Sequence, residues 1–162
     1  MSFFQRVLIG VSSIAPQSIR KRIFKAVGLK IGEKTIIGSG FFVDRPECVT
    51  LGTNCFINRF VHLHVGANKD TTISLGNNVF VGPDTKFVCV SHEIGSEYQR
   101  AGKNTYSSIV VEDGVWIAAG ATILPGVIIA KGCVIGAGAV VTKSTEMNGL
   151  YLGVPAKRVR DL

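Results

Sequence analysis

An aliphatic residue falls at every sixth position from Val111 onward: Val111, Ile117, Ile123, Ile129, Ile135 and Val141. Glycine follows three residues after each of the first five, at Gly114, Gly120, Gly126, Gly132 and Gly138. A small or β-branched residue comes one place later, at Val115, Ala121, Val127, Cys133 and Ala139. A period of six fits neither an amphipathic helix nor a simple hairpin meander, and it predicts hexapeptide coils. Each coil side is then a short strand with one inward aliphatic residue, closed by a turn in which glycine takes positive φ without steric cost.

The beat keeps its phase upstream in patches: Ile31, Ile37, Val43; Leu51, Ile57, Leu63; Leu75, Val81, Phe87. Between Val43 and Leu51 two extra residues enter near Asp44-Arg45-Pro46, and longer gaps separate Leu63 from Leu75 and Phe87 from Val111. Three hexapeptides per turn predict about six coils over residues 31–142, a prism roughly 30 Å long. Neither the turn count nor the handedness follows from the spacing.

Charge changes the picture at one end only. Residues 1–30 hold Arg6, Arg20, Lys21, Arg22, Lys25 and Lys30 without an acid, so they carry +6 of the formal +7. The rest is nearly neutral, which argues against a nucleic-acid surface. Within the basic segment Ile19, Ile23, Ala26 and Val27 recur at helical spacing over Ser18–Lys30, closing at Gly28. Two readings stand: a helix that caps the open end of a repeat stack, or a basic face of residues 18–30 touching an anionic membrane. The apolar run 7–15 is too short to span a bilayer and makes a poor signal sequence. A cytoplasmic protein is expected. Cys48, Cys55, Cys89 and Cys133 lack metal-type spacing, and Cys55 and Cys133 fall in small inward slots.

Three segments carry an ordered motif set: Val115-Trp116-Ile117-Ala118-Ala119-Gly120 through Ile123-Leu124-Pro125-Gly126-Val127; Val134 to Lys143; and Gly153-Val154-Pro155-Ala156-Lys157. Over about residues 31–160 the chain resembles the hexapeptide-repeat acyltransferases. The likeness is to the branch with galactoside, maltose, streptogramin and polysaccharide O-acetyltransferases. The resemblance implies an all-β fold, a left-handed parallel β-helix of hexapeptide repeats with an N-terminal helical cap. It also implies a homotrimer that binds acetyl-CoA between subunits and needs no metal. The expected organisation is a cap over 1–30, a β-helix over 31–145 with a protruding loop at 92–108, and a tail over 146–162.

His92 opens the longest interruption of the repeat, and polar excursions from a coiled scaffold tend to carry function. Histidine as a residue type suits a general base that takes a proton from an attacking hydroxyl. The family's catalytic histidine stands at this place. Glu93 and Glu97 either orient that ring or solvate the loop, and Tyr98, Arg100, Lys103 and Tyr106 are candidates for an acceptor site. Asn58 occupies a turn position, and the resemblance gives it a role in substrate binding. The family's acidic residue a little downstream is absent, replaced by Val61-His62-Leu63-His64-Val65-Gly66. For acetyl-CoA the resemblance points to Ala119, Ala137, Thr142, Lys143, Lys157 and Arg160, with Trp116, read as a corner aromatic, covering the pantetheine arm.

The expected reaction is acetyl transfer from acetyl-CoA to a sugar hydroxyl, with surface polysaccharide synthesis as the setting. Streptogramin-type antibiotic acetylation is the alternative within the class. A zinc hydratase like the γ-class carbonic anhydrases, built on His62, His64 and His92, is the rival from another class.

Overall fold

The computed structural model describes residue 10 and residues 15–162. The short strands stack into three parallel faces of a prism. The first face stacks the strands around Ile31, Leu51, Leu75, Val111 and Ile129; the second those around Ile37, Ile57, Val81, Ile117, Ile135 and Tyr151; the third those around Val43, Leu63, Phe87, Ile123 and Val141. Five coils are complete, and the strand Gly149–Leu152 adds a sixth layer to the second face alone. The stack is therefore shorter than the six coils that spacing predicts. The chain leaves the six-residue beat after Val141 and reaches Tyr151 without a full first-face strand.

Every interruption of the beat falls at one corner, between the third and first faces. A 3₁₀ turn, Pro46–Cys48, fills the first gap, residues 66–72 the second, and a hairpin the third. The first two are tied together: Asp44 accepts the backbone N–H groups of Val65 at 2.9 Å and Gly66 at 3.0 Å. Arg45 donates to the carbonyls of Ala67 and Asn68, both at 3.2 Å. The other two corners stay uniform because nothing is inserted there.

Inside, the inward aliphatic residues form one continuous buried column, with Phe87 and Phe41 essentially unexposed. Thr85 and Thr35 are also buried, and each hydroxyl donates to a backbone carbonyl, Gly82 at 2.8 Å and Gly52 at 2.6 Å respectively. Among the described residues no buried side-chain nitrogen or oxygen lacks a partner. Cys55, Cys89 and Cys133 are buried free thiols, and burial pushes the Cys89 thiol up to about 12. It behaves as a small apolar side chain rather than a nucleophile.

The stack has a polarity that explains its ends. Along the strands the N–H groups donate toward the C-terminal neighbour, as in Gly38 to Ile57, while turn N–H groups such as Gly138 donate the other way; the strands of the first coil therefore present carbonyls to open space. The helix Gln17–Ala26 covers them. Arg20 is buried and donates to the carbonyl of Ile37 at 2.7 Å; Lys21 donates to those of Gly32 and Thr35 at 3.2 and 3.3 Å. At the far end the unpaired groups are N–H, and hydroxyls accept them: Ser144 from Ile128 at 3.0 Å and Thr145 from Ala130 at 2.8 Å. Buried backbone groups must be paired, and each rim is met by the complementary chemistry.

The helix ends at Val27 with Gly28 at φ +101°, where Gly28 N–H reaches Lys25 and Leu29 N–H reaches Phe24. That paired closure favours glycine. Its buried face differs from the one that hydrophobicity predicts. Arg20, Phe24 and Val27 face the core, while Ile19 and Ala26 are exposed and Ile23 is half-buried. Phe24 meets Phe41 edge-on at 5.0 Å and plugs the open coil. The carbonyl rim selects Arg20 for the inside, and the helix rotates to deliver it. Among the described residues no helix is long and apolar enough to cross a membrane.

Candidate active site

The third interruption is an antiparallel hairpin, Val90–Ile94 with Ala101–Tyr106, rather than an irregular loop. It starts two residues before His92. Val90 pairs with Tyr106 and His92 with Asn104, and the register slips between His92 and Ile94. This bulge brings the His92 ring to the backbone of the opposite strand: Nδ1 lies 3.0 Å from the carbonyl oxygen of Gly102. A carbonyl only accepts, so the bond places the proton on Nδ1 and leaves Nε2 with its lone pair. The imidazole is exposed.

The orienting partner is therefore a backbone carbonyl, and neither Glu93 nor Glu97 holds the ring. Tyr98 is 91% exposed at the hairpin tip. Arg100 is turned to the carbonyl of Gly95 at 3.2 Å. Tyr106 accepts from Asn104 at 3.1 Å, and its ring lies against Gly66 of the second insertion. The hairpin base is thus supported by the neighbouring insertion at the same corner.

Asn58 stands at the corner between the second and third faces. Its side-chain oxygen accepts the N–H of Arg59 at 2.8 Å. Ala119 and Ala137 are exposed on that same corner in later coils, joined to it by the bond from Gly138 N–H to the Ala119 carbonyl at 2.9 Å. Thr142 and Lys143 are exposed at the other corner, the one that carries the hairpin. Within one chain the candidate residues therefore occupy two corners separated by the third face.

Trp116 opens the strand Trp116–Ile117 on the second face and does not stand at a corner. It continues an outward apolar ladder in register, Ile36, Phe56, Phe80, Trp116 and Val134. Phe56 and Phe80 stack at 6.2 Å, and Trp116 is 55% exposed. The tail strand Lys157–Asp161 runs antiparallel to Gly149–Leu152 at the end of this face. Lys157 and Arg160 are exposed there. Arg158 between them binds Asp161 at 2.8 Å, the Tyr151 hydroxyl at 3.2 Å and the Glu146 carbonyl at 3.0 Å. Asp161 foremost, then Tyr151, raises its pKa further. Arg158 pins the tail, so its charge is already matched.

Sequence reasoning passed over Phe60. Its corner position is filled elsewhere by Gly40, Asp84, Gly120 and Gly138, all at positive φ, and Phe60 adopts φ +56°. A bulky residue there is strained by about 1–3 kcal/mol, yet the ring is 52% exposed and two residues from Asn58. The signal was available as an aromatic residue in a column of glycine and aspartate. Phe60→Asn is expected to raise stability by about 1 kcal/mol, since asparagine tolerates this region. Chemical denaturation reads the gain, and a loss of stability would show that ring packing outweighs the strain.

His62 and His64 do not join His92. They cluster with Phe42 on the third face, at ring distances of 5.6 and 5.4 Å. Among the described residues no three His, Cys, Asp or Glu side chains converge in a metal-binding group. Burial first, then His64 and Lys86, lowers the His62 pKa, against an opposing pull from Asp84. The folded state therefore binds this proton less readily than the unfolded chain. That contribution to stability is complete above about pH 6.5 and declines as pH falls through the folded pKa. Acidification from pH 7.5 to 5.5 should lower Tm more in the wild type than in His62→Gln. Equal losses would remove His62 as the cause.

The family model for the bacterial transferase hexapeptide (six repeats) matches residues 108–143. Galactoside O-acetyltransferase of Lactococcus lactis is 30% identical over 145 residues, covering 89% of this chain and 68% of that protein. The Escherichia coli galactoside O-acetyltransferase is 30% identical over 128 residues, 78% of this chain, and the match spans 63% of the relative's length. Among solved structures, a hexapeptide-repeat acetyltransferase of Vibrio cholerae complexed with acetyl coenzyme A superposes with TM-score 0.85 at 28% identity, covering 98% and 87% of the two chains. A galactoside acetyltransferase in complex with coenzyme A gives TM-score 0.86 at 25% identity, covering 97% and 78%. The chain belongs to the hexapeptide-repeat acetyltransferases, and its coil is their left-handed parallel β-helix.

Proposed function

We propose that this chain transfers an acetyl group from acetyl-CoA to a sugar hydroxyl, with His92 as general base and surface polysaccharide synthesis as its setting. The observation that carries the reading is the bond between His92 Nδ1 and the Gly102 carbonyl. It leaves Nε2 as a proton acceptor on an exposed ring, aimed from a braced hairpin. The relatives named above, a galactoside O-acetyltransferase and acetyltransferases complexed with acetyl-CoA or CoA, supply the acyl donor and the acceptor class.

In the proposed reaction Nε2 takes the hydroxyl proton as the oxygen attacks the thioester carbonyl. The tetrahedral oxyanion collapses, the thiolate leaves, and the imidazolium returns the proton to it as CoA thiol. Holding both substrates together makes a covalent enzyme intermediate unnecessary. The proposed donor contacts are Trp116, Ala119, Ala137, Thr142, Lys143, Lys157 and Arg160. The two exposed alanines leave the corner open to a flat cofactor arm, and the cations suit its phosphates. Asn58 is proposed for the acceptor. Because these residues lie on two corners and a face, we place the complete site between subunits of a homotrimer.

Calorimetric titration of metal-free protein with acetyl-CoA, followed by acetyl-transfer assays on free galactosides, tests the reading. Micromolar binding at one site per chain with turnover supports it. No binding by acetyl-CoA would overturn it.

A further inference from the structure

Arg20 and Lys21 are matched to carbonyls of the first coil. The side chains of Arg22, Lys25 and Lys34 are exposed and have no hydrogen-bond or ion-pair partner among the described residues. These three, with Lys21, line one cleft between the helix and the first coil, whose other walls are Gln17, Ser18, Thr35 and Ile36. Its volume is about 780 Å³, and among the described residues no carboxylate lines it. Glu33 borders Lys34 on the other side, in a separate cleft with Thr53 and Asn54.

Cations gathered around a concavity repel one another, and an anion of matching charge relieves that repulsion. Three unpaired cations over a cleft of this size suit a ligand with two or three negative charges close together. Gln17 and Ser18 add neutral polar groups at the helix start. Ile36 forms part of the wall and is also the first rung of the outward apolar ladder with Phe56 and Phe80. The cleft thus joins a cationic pocket to an apolar track.

We propose that this cleft binds the diphosphate of a carrier-linked sugar, with the apolar or aromatic part of the carrier lying toward Ile36 and Phe56. The choice of ligand rests on the reading of the chain as a sugar O-acetyltransferase. The carrier is a nucleoside or a polyprenyl group, and both present the same phosphoanhydride to Arg22, Lys25 and Lys34. Lys21 fixes the cleft wall through its two carbonyl bonds and contributes charge without moving.

The test uses the full chain pre-saturated with CoA, so that the donor site is filled. Inorganic pyrophosphate is titrated calorimetrically, then a nucleoside diphosphate sugar and a short-chain prenyl diphosphate sugar. One saturable site per chain is expected, with at least one carrier binding more tightly than pyrophosphate. The triple variant Arg22→Gln, Lys25→Gln, Lys34→Gln should weaken that binding by about tenfold or more, with a melting temperature no lower than the wild type's, because none of the three holds the fold. The carrier that gains affinity over pyrophosphate identifies the source. Absence of a saturable site, equal binding by the triple variant, or no gain from either carrier would overturn the proposal. Acetyl transfer to free galactosides by the wild type is read separately, so failure here and failure of the acetyltransferase reading are distinguishable.

Discussion

His92→Ala is expected to lower kcat by about 10²–10⁴, the range for removing a positioned general base, while acetyl-CoA affinity stays nearly unchanged. That fold-change corresponds to roughly 2.7–5.4 kcal/mol of transition-state stabilisation. The exposed ring contributes nothing to the buried core, so the variant should melt like the wild type. The effect falls on kcat because the proton leaves the hydroxyl only as the new bond forms, so the ring acts in the transition state. Gly102 gives a second reading of the same geometry. A Cβ there would stand 2.9 Å from the Glu93 carbonyl oxygen, so Gly102→Ala must shift the bulge that aims the ring. A smaller loss in kcat, again without a change in donor affinity, is expected. Steady-state kinetics with calorimetric acetyl-CoA binding measures both, and near wild-type turnover by His92→Ala would remove His92 from the mechanism.

The largest expected effect on stability is at Phe87. Its side chain is fully buried in the middle coil, in register with Leu63 below and Ile123 above. Phe87→Ala should cost about 3–5 kcal/mol, the transfer term of the lost ring plus the cavity left behind. Stacked coils contact only their neighbours, so a central gap weakens two interfaces at once. The same truncation at Phe80, on the same coil but 49% exposed, should cost much less. Denaturant unfolding of both variants tests the contrast. A loss below about 1 kcal/mol at Phe87 would mean that the coils close around the gap.

The regular coils were legible because one inward residue in six is enough to mark a face, and a stack repeats that mark. The hairpin was legible as the place where the mark fails. Its internal geometry was not: the His92–Gly102 bond depends on a bulge, and a one-residue register change is invisible in composition. The capping helix was legible in its position and its glycine stop. Its rotation was misjudged, because apolar spacing favours Ile19 and Ile23 while the carbonyl rim demands a cation inside. Trp116 reads in the sequence as a corner aromatic, whereas its register with Phe80 puts it on a flat face.

The sequence by itself determined the six-residue period, the location of the breaks, the basic N-terminal segment and the family. Each of these is local or repetitive, and so is written directly in residue order. Tertiary structure decided the number of complete coils and the gathering of every insertion at one corner. It also set the tautomer of His92, the burial of Arg20 and the division of the candidate residues among two corners and a face. Those depend on which backbone groups a stacked neighbour leaves unpaired and on how many residues each turn inserts, and both are properties of the closed coil.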